Sequence, residues 1–142
     1  MMLIFAALLG GLGAASRFLV DTWVNKRNRL TIPLGTIVVN ITACLLMGIL
    51  TGWVTSHIGS DTVRLLLASG FLGGYSTFST ASVEGVRLIK AHEPVRALQH
   101  TGGMLVLSLA ATLLGFVIGW AVTGGLLLLQ FVRAAAGATR LN

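Results

Sequence analysis

Polar and apolar positions along this chain are sorted into blocks. Charged residues occur only within 17–29, 61–64 and 84–96 and at 133 and 140, leaving the uncharged stretches 1–16, 30–60, 65–83 and 97–132. A helix that crosses the hydrocarbon core needs about 20 mostly apolar residues, within a range of about 17–25. The blocks therefore predict four crossings, at approximately 2–24, 34–56, 63–90 and 98–122. Trp23, Trp53 and Trp120 fall near the predicted ends, where indole rings favour the interface. The first crossing has no basic residue ahead of it and contains Gly10, Gly11 and Gly13, so it is not expected to be a cleaved signal. The last uncharged stretch has 36 residues, about 54 Å of straight helix. Gly124-Gly125 is the natural place to break it, separating a membrane unit at 1–125 from a short apolar extension and tail at 126–142. The alternative is a tilted helix that continues out of the bilayer, and the sequence leaves both open.

Composition agrees with a membrane as the solvent. Of 142 residues, 55% are hydrophobic and 10% charged, and mean hydropathy is +0.89, whereas soluble domains carry about 25% charged residues. Ten basic against four acidic residues give a net charge of +6. These cations are spread over loops and tail, so no groove-lining patch for nucleic acid is expected. Their distribution is uneven. If both termini lie on one face, that face holds Arg64, Arg133 and Arg140, and the other holds Arg17, Lys26, Arg27, Arg29, Arg87, Lys90 and Arg96. Three against seven favours cytoplasmic 25–33 and 88–97 loops with both termini outside.

Catalytic chemistry is poorly served. Cys44 is the single cysteine and lies inside the second crossing, as a small packing residue with no partner for an intrachain disulfide. His57, His92 and His100 sit near helix ends without the spacing of metal ligands. Four carboxyls, mostly at interfaces, assemble no nucleophile, base and orienting acid. An enzyme is not expected.

Small residues predict how the helices meet. Gly48-x-x-x-Gly52, Gly70-x-x-x-Gly74 and Gly115-x-x-x-Gly119 each set two glycines on one helical face, and Gly11 with Ala15 does the same in the first crossing. The informative segment is 69–82. Five of the seven residues 76–82 are hydroxylic, and they follow directly on Gly73-Gly74 in mid-crossing. Glycine pairs and Ser/Thr clusters are where helices kink or unwind, and freed backbone groups survive at membrane depth only when buried in protein or lining a polar cavity. A break would expose carbonyls to a cation and amides to an anion. An unbroken helix whose hydroxyls bond to its own carbonyls is the alternative. In the second crossing Thr36 and Asn40 share a face, and in the fourth Ser108 and Thr112 repeat this polar stripe. The Asn40 amide needs a partner inside the bundle, either a neighbouring helix or a passing anion.

These residues together resemble the Fluc (CrcB) fluoride channels, from about Gly10 to Val122. The resemblance rests on Gly10-x-x-Gly13-Ala14-x-x-Arg17, on Gly35-Thr36-x-x-Val39-Asn40, and on Gly70-Phe71-x-Gly73-Gly74-x-Ser76-Thr77-Phe78-Ser79-Thr80 with Glu84. It implies an all-α membrane protein whose third helix is broken, forming an antiparallel dual-topology dimer with two fluoride pores near the subunit interface. It implies a structural Na⁺ held by the backbone carbonyls of Gly73 and Ser76 at the dimer interface. It places Thr36, Asn40, Phe78, Ser79, Thr80, Ser108 and Thr112 along the fluoride pore, with Arg17 and Glu84 as structural residues.

The chain departs from that family at two positions. A second pore phenylalanine three residues after the first is replaced by Ala81, and a hydrogen-bonding side chain one turn before Ser108 is replaced by Met104. With the loop-charge bias, these leave room for a heterodimer with an oppositely oriented homologous subunit, although the resemblance favours a homodimer. The expected activity is passive fluoride export from the cell through a multi-pass protein of the cell membrane. A small dual-topology multidrug exporter would need a carboxylate in the first crossing, and 1–16 has none. A non-conducting membrane subunit is the other alternative.

Overall fold

The computed structural model describes residues 1–29, 33–55 and 61–138, with side chains described through 124. Expectations for His57 and for the tail at 139–142 lie outside the described residues. Among the described residues the chain is almost entirely helical, with no strand. Helix α1 (Met2–Arg27) and helix α2 (Leu34–Val54) are the first two crossings. The third is composite. It starts as α3 (Asp61–Arg64), passes into a π-helix at Leu65–Leu72 and one further turn, α4 (Gly73–Tyr75), and resumes after a gap as α5 (Phe78–Lys90). Helix α6 (Pro94–Ala138) is the fourth crossing.

Three uninterrupted helices, α1, α2 and Pro94–Gly124 of α6, are long and apolar enough to cross a membrane. Only 6% of the most apolar window of α1 is buried, and Leu8, Leu12, Phe18, Leu19, Leu105, Val106, Leu113 and Val117 stand exposed. Water does not tolerate an apolar surface of this extent on a soluble monomer. The chain is a multi-pass integral membrane protein. Prolines stay out of helix interiors, with Pro33 as the N-cap of α2 and Pro94 opening α6, where its missing N–H costs no hydrogen bond. Helix α6 runs through Gly124-Gly125 without interruption.

Glycines set the helix pairing. A Cβ on Gly48 would meet the Thr112 carbonyl and the Gly115 Cα, and one on Gly115 would meet the Leu45 carbonyl. One turn on, Gly52 and Gly119 sit equally close to Phe116 and Ile49. Helices α2 and α6 thus touch backbone to backbone along the two predicted glycine pairs. The third crossing packs on α1 in the same way, Gly74 against Gly10 and Gly13 against Phe71 and Tyr75. Gly11 and Ala15 make no such contact among the described residues of this chain. A Cβ on Gly11 meets nothing within 4 Å and Ala15 is exposed, because the contact face of α1 runs through Gly10 and Gly13. Between the two pairs lies a small core of Val39, Ala43 and Tyr75, flanked by Val20 and Phe71. The Phe71 and Tyr75 rings stack at 6.1 Å, and the Tyr75 hydroxyl meets Thr42 Oγ1 at 3.0 Å.

Two further devices fix helix ends, one between α1 and α2 and one between α5 and α6. Asn25 Nδ2 donates to Asp21 Oδ1 at 3.0 Å, and Asn25 Oδ1 accepts from the Gly35 N–H at 3.0 Å, which supplies the first turn of α2 with a partner. Between α5 and α6, His92 adopts a left-handed φ of 59°. The Glu93 N–H reaches the Leu88 carbonyl at 3.0 Å and the His92 N–H the Ile89 carbonyl at 3.0 Å, a Schellman closure that turns the chain sharply.

The glycine seam yields a matched test. Gly48→Ala pushes a methyl into backbone atoms and should cost about 1–3 kcal/mol. Gly124→Ala, which meets nothing within 4 Å, should be neutral or stabilise by about 0.5–1 kcal/mol. Thermal unfolding in detergent reads both.

Candidate functional site

The site begins where the third crossing stops being a helix. Ser76 (φ −72°, ψ 159°) and Thr77 (φ −149°, ψ 120°) are extended. Thr77 is the N-cap of α5, with Oγ1 accepting from the Thr80 N–H at 3.3 Å and meeting the Thr80 and Ser79 hydroxyls at 3.0 and 3.3 Å. Its backbone is clasped by α2. The Thr77 N–H donates to Asn40 Oδ1 at 2.9 Å, and Asn40 Nδ2 donates to the Thr77 carbonyl at 2.9 Å. One amide side chain therefore satisfies both polar groups of the extended residue, both of them buried.

This clasp alters the neighbouring carbonyls. In a continuous helix the Thr77 and Thr80 amides would bond to the carbonyls of Gly73 and Ser76. Here they are directed to Asn40 Oδ1 and Thr77 Oγ1 instead. Hard carbonyl oxygens released in this way suit an alkali cation. Among the described residues no group of three or more His, Cys, Asp or Glu is placed to hold a metal ion.

Two cavities meet at Thr77. The smaller, about 170 Å³, is lined by Arg17, Phe18, Asp21, Thr36, Val39, Thr77 and Thr80. The larger, about 480 Å³, is lined by Asn40, Cys44, Ser76, Thr77 and Phe78 and by Leu98, Thr101, Gly102, Met104, Leu105 and Ser108 of α6. The predicted residues thus divide between two spaces. Thr36, Thr80 and Arg17 border the small chamber, while Asn40, Phe78 and Ser108 border the large one. Ser79 stands beside Glu84 and Arg87 at a third, shallow recess. Thr112 is not brought to either cavity, and its hydroxyl donates to the Ser108 carbonyl at 2.9 Å. Phe78 is 85% exposed, its ring projecting from the start of α5. Ala81 is buried at 1%, so its methyl is packed against the fold rather than presented to a cavity.

One polar cluster escaped the sequence reading. Glu84 Oε1 accepts from the Thr36 hydroxyl at 2.8 Å, and Glu84 Oε2 lies 3.2 Å from His100 Nε2. The His100 side chain is fully buried, and its Nδ1 has no partner among the described residues. With the proton on Nε2, the ring donates to the carboxylate and leaves only a lone pair unpaired at Nδ1. The signal was present in the spacing, since 84 and 100 stand eight residues on either side of the His92 turn. Asn40 carries a second contact of the same kind, with Nδ2 3.3 Å from Met104 Sδ.

Residues 4–120 match the family model described as CrcB-like protein, Camphor Resistance (CrcB). The chain belongs to the CrcB family. Its curated CrcB-family relatives include the fluoride-specific ion channel FluC 2 of Cutibacterium acnes, 39% identical over 120 residues, covering 84% of this chain and 98% of the relative. FluC 2 of Mycobacterium tuberculosis is 44% identical over 108 residues, 76% of this chain and 82% of the relative. FluC of Aquifex aeolicus is 35% identical over 118 residues, 82% and 95% of the two chains. The CrcB match spans all of α1, α2 and the interrupted third crossing apart from the first residues of α1, and ends inside α6.

The clasp makes this CrcB-family fold sensitive to one amide. Asn40→Ala strands a buried N–H and a buried carbonyl at Thr77, each worth about 1–3 kcal/mol. The melting temperature in detergent should fall clearly, and the Thr77 amide should exchange faster with deuterium. Removing the peripheral Ser82 hydroxyl, which bonds the Phe78 carbonyl at 2.9 Å, should change stability by less than about 0.5 kcal/mol.

Proposed function

We propose that this chain is a fluoride-selective channel that lets fluoride leave the cell passively and protects it from fluoride toxicity. The observation that carries the reading is the Asn40–Thr77 clasp in a CrcB-family chain, which holds an interrupted crossing open between two cavities, the larger one mainly apolar with a few polar groups, Asn40, Thr77 and Ser108 among them, on its wall. Fluoride is small and strongly hydrated, and an anion stripped of water inside protein must regain donors. Asn40, Ser79, Thr80 and Ser108 carry N–H or O–H groups for that task, and the electropositive edge of the Phe78 ring suits an anion. A space built around single donors and a ring, rather than a wide aqueous pore, disfavours larger anions. HF enters a cell as a neutral acid and dissociates in the less acidic cytoplasm, so a passive exit route suffices. Ion conduction of this type requires no catalytic residue, and the protein is no enzyme on this reading.

The working unit in this proposal is an antiparallel dimer embedded in membrane lipid. The exposure of Phe78 and the open side of the larger cavity are surfaces that a second subunit would complete. A homodimer is favoured, and the three-against-seven loop charge keeps a homologous partner of opposite orientation as the alternative. A Na⁺ between the subunits would be held by the Gly73 and Ser76 carbonyls, supplied twice by the dimer, and would add a fixed positive field to the anion path. Arg17 and Glu84 act structurally beside the small chamber, Glu84 through its bond to Thr36.

Fluoride efflux from proteoliposomes, followed with a fluoride electrode, tests the proposal. Wild-type protein should release fluoride, and Phe78→Ala and Ser108→Ala should each slow release about tenfold or more while remaining folded. Wild-type rates in both variants would remove the pore assignment.

The cation site has its own test. Ser76→Ala keeps the backbone and should conduct nearly as well as wild type, whereas Gly73→Val restricts the backbone and should abolish flux. Replacing Na⁺ by a bulky organic cation during purification and assay should lower wild-type flux. Unchanged flux after complete Na⁺ removal would reject the site.

A further inference from the structure

The Asn40 amide has two N–H groups, and the structure accounts for both. One is fixed on the Thr77 carbonyl at 2.9 Å, and the reciprocal bond from the Thr77 N–H to Asn40 Oδ1 at 2.9 Å prevents the amide from turning. The other meets Met104 Sδ at 3.3 Å. Thioether sulfur is a weak acceptor on an unbranched chain with three rotatable bonds. Met104 is half-buried on α6, one turn from Ser108, and lines the larger cavity with Asn40, Phe78 and Ser108. The N–H that an anion in this cavity would need is therefore already engaged, by a weak acceptor on a flexible side chain that is free to swing aside.

We propose that Met104 is a specificity-determining residue of the anion path, a displaceable thioether that holds the second Asn40 N–H until a stronger acceptor takes it. The inference rests on the channel reading given above and deepens it. Fluoride is a far stronger hydrogen-bond acceptor than a thioether and displaces the sulfur from the N–H. Chloride accepts more weakly and is larger, so it gains less from the exchange and needs more of the space that the methionine fills. Met104 thus acts on both counts, competing for the donor and narrowing the cavity beside it.

The two roles separate by substitution in the full-length protein reconstituted in liposomes. Fluoride efflux and chloride efflux are both measured, with folding checked by size-exclusion chromatography. Met104→Leu keeps the volume but removes the acceptor, and such volume-conserving exchanges are well tolerated. It should raise fluoride flux about two- to tenfold, the range set by one hydrogen bond of ordinary net strength, with chloride still excluded. Met104→Ala removes acceptor and bulk and should raise fluoride flux and admit chloride. If wild-type protein conducts and neither variant exceeds it, the inference is overturned and the channel reading stands. A gain in Met104→Ala without one in Met104→Leu assigns the residue to bulk alone and also overturns the inference. Silent wild-type protein with conducting variants supports it, since the thioether then closes the path outright. Silence in all three, with intact protein, overturns the inference together with the channel reading. Should Met104→Ala fail to fold, Met104→Leu decides alone.

Discussion

In a bilayer no water is available to satisfy backbone groups, so every N–H and C=O at membrane depth must find its partner within protein. A helix meets this demand by itself, and an interrupted helix does not. The two extended residues Ser76 and Thr77 exist because Asn40 on the neighbouring crossing stands in for the missing ladder. The surrounding organisation depends on that exchange. Thr77 is free to cap α5 because its backbone is held elsewhere, and the carbonyls of Gly73 and Ser76 lose their helical amides as a direct result. A polar residue among Ile37, Val38, Val39 and Ile41 is thus the condition for an opening, with the cost of burying it offset by two backbone bonds.

Glycine provides the second condition. An amide side chain reaches the neighbouring backbone only if the helices stand at a fixed spacing. Two pairs of helices are held at backbone contact, α2 on α6 and α1 on the third crossing. Lipid supplies no hydrophobic drive between helices, so close approach through small residues is what binds them. Helix α5 has no such seam. It is joined through the Glu84 contacts to Thr36 and His100 and through the tight turn at His92, with much of its surface uncovered. The half of the third crossing that carries Phe78, Ser79 and Thr80 is accordingly attached by polar contacts together with the buried Ala81 and Gly85, whereas the half before the break is held at backbone contact with α1.

Much of this was legible in the sequence, for physical reasons that can be named. Charge-free blocks report crossings because charges are excluded from hydrocarbon, and the Gly73-Gly74 pair before a hydroxylic run marks where a helix yields. What stayed hidden depends on geometry between helices. Gly11 and Ala15 satisfy the same spacing rule as the true contacts but lie on the other face of α1, and spacing alone does not tell which face is inward. The π-helix at Leu65–Leu72 has no local signature, because its sequence reads as ordinary apolar helix. Asn40 was recognisable as needing a partner, but not as sharing its amide between Thr77 and Met104, which requires three elements to converge. His100 and Glu84 look unrelated until the turn between them brings positions 84 and 100 opposite one another.

The α2–α6 pair is pinned by its glycines. Around Gly48, Gly52, Gly115 and Gly119 the two backbones touch, and toward Asn40 and Met104 side chains stand between them. The glycine seam fixes how near α6 stands to α2, and the Asn40–Met104 contact spans the remaining distance. The gap at Asn40 is therefore governed by atoms about 12 Å further along the helix, eight residues at 1.5 Å each. The width of the cavity is a property of the seam as much as of the residues that line it.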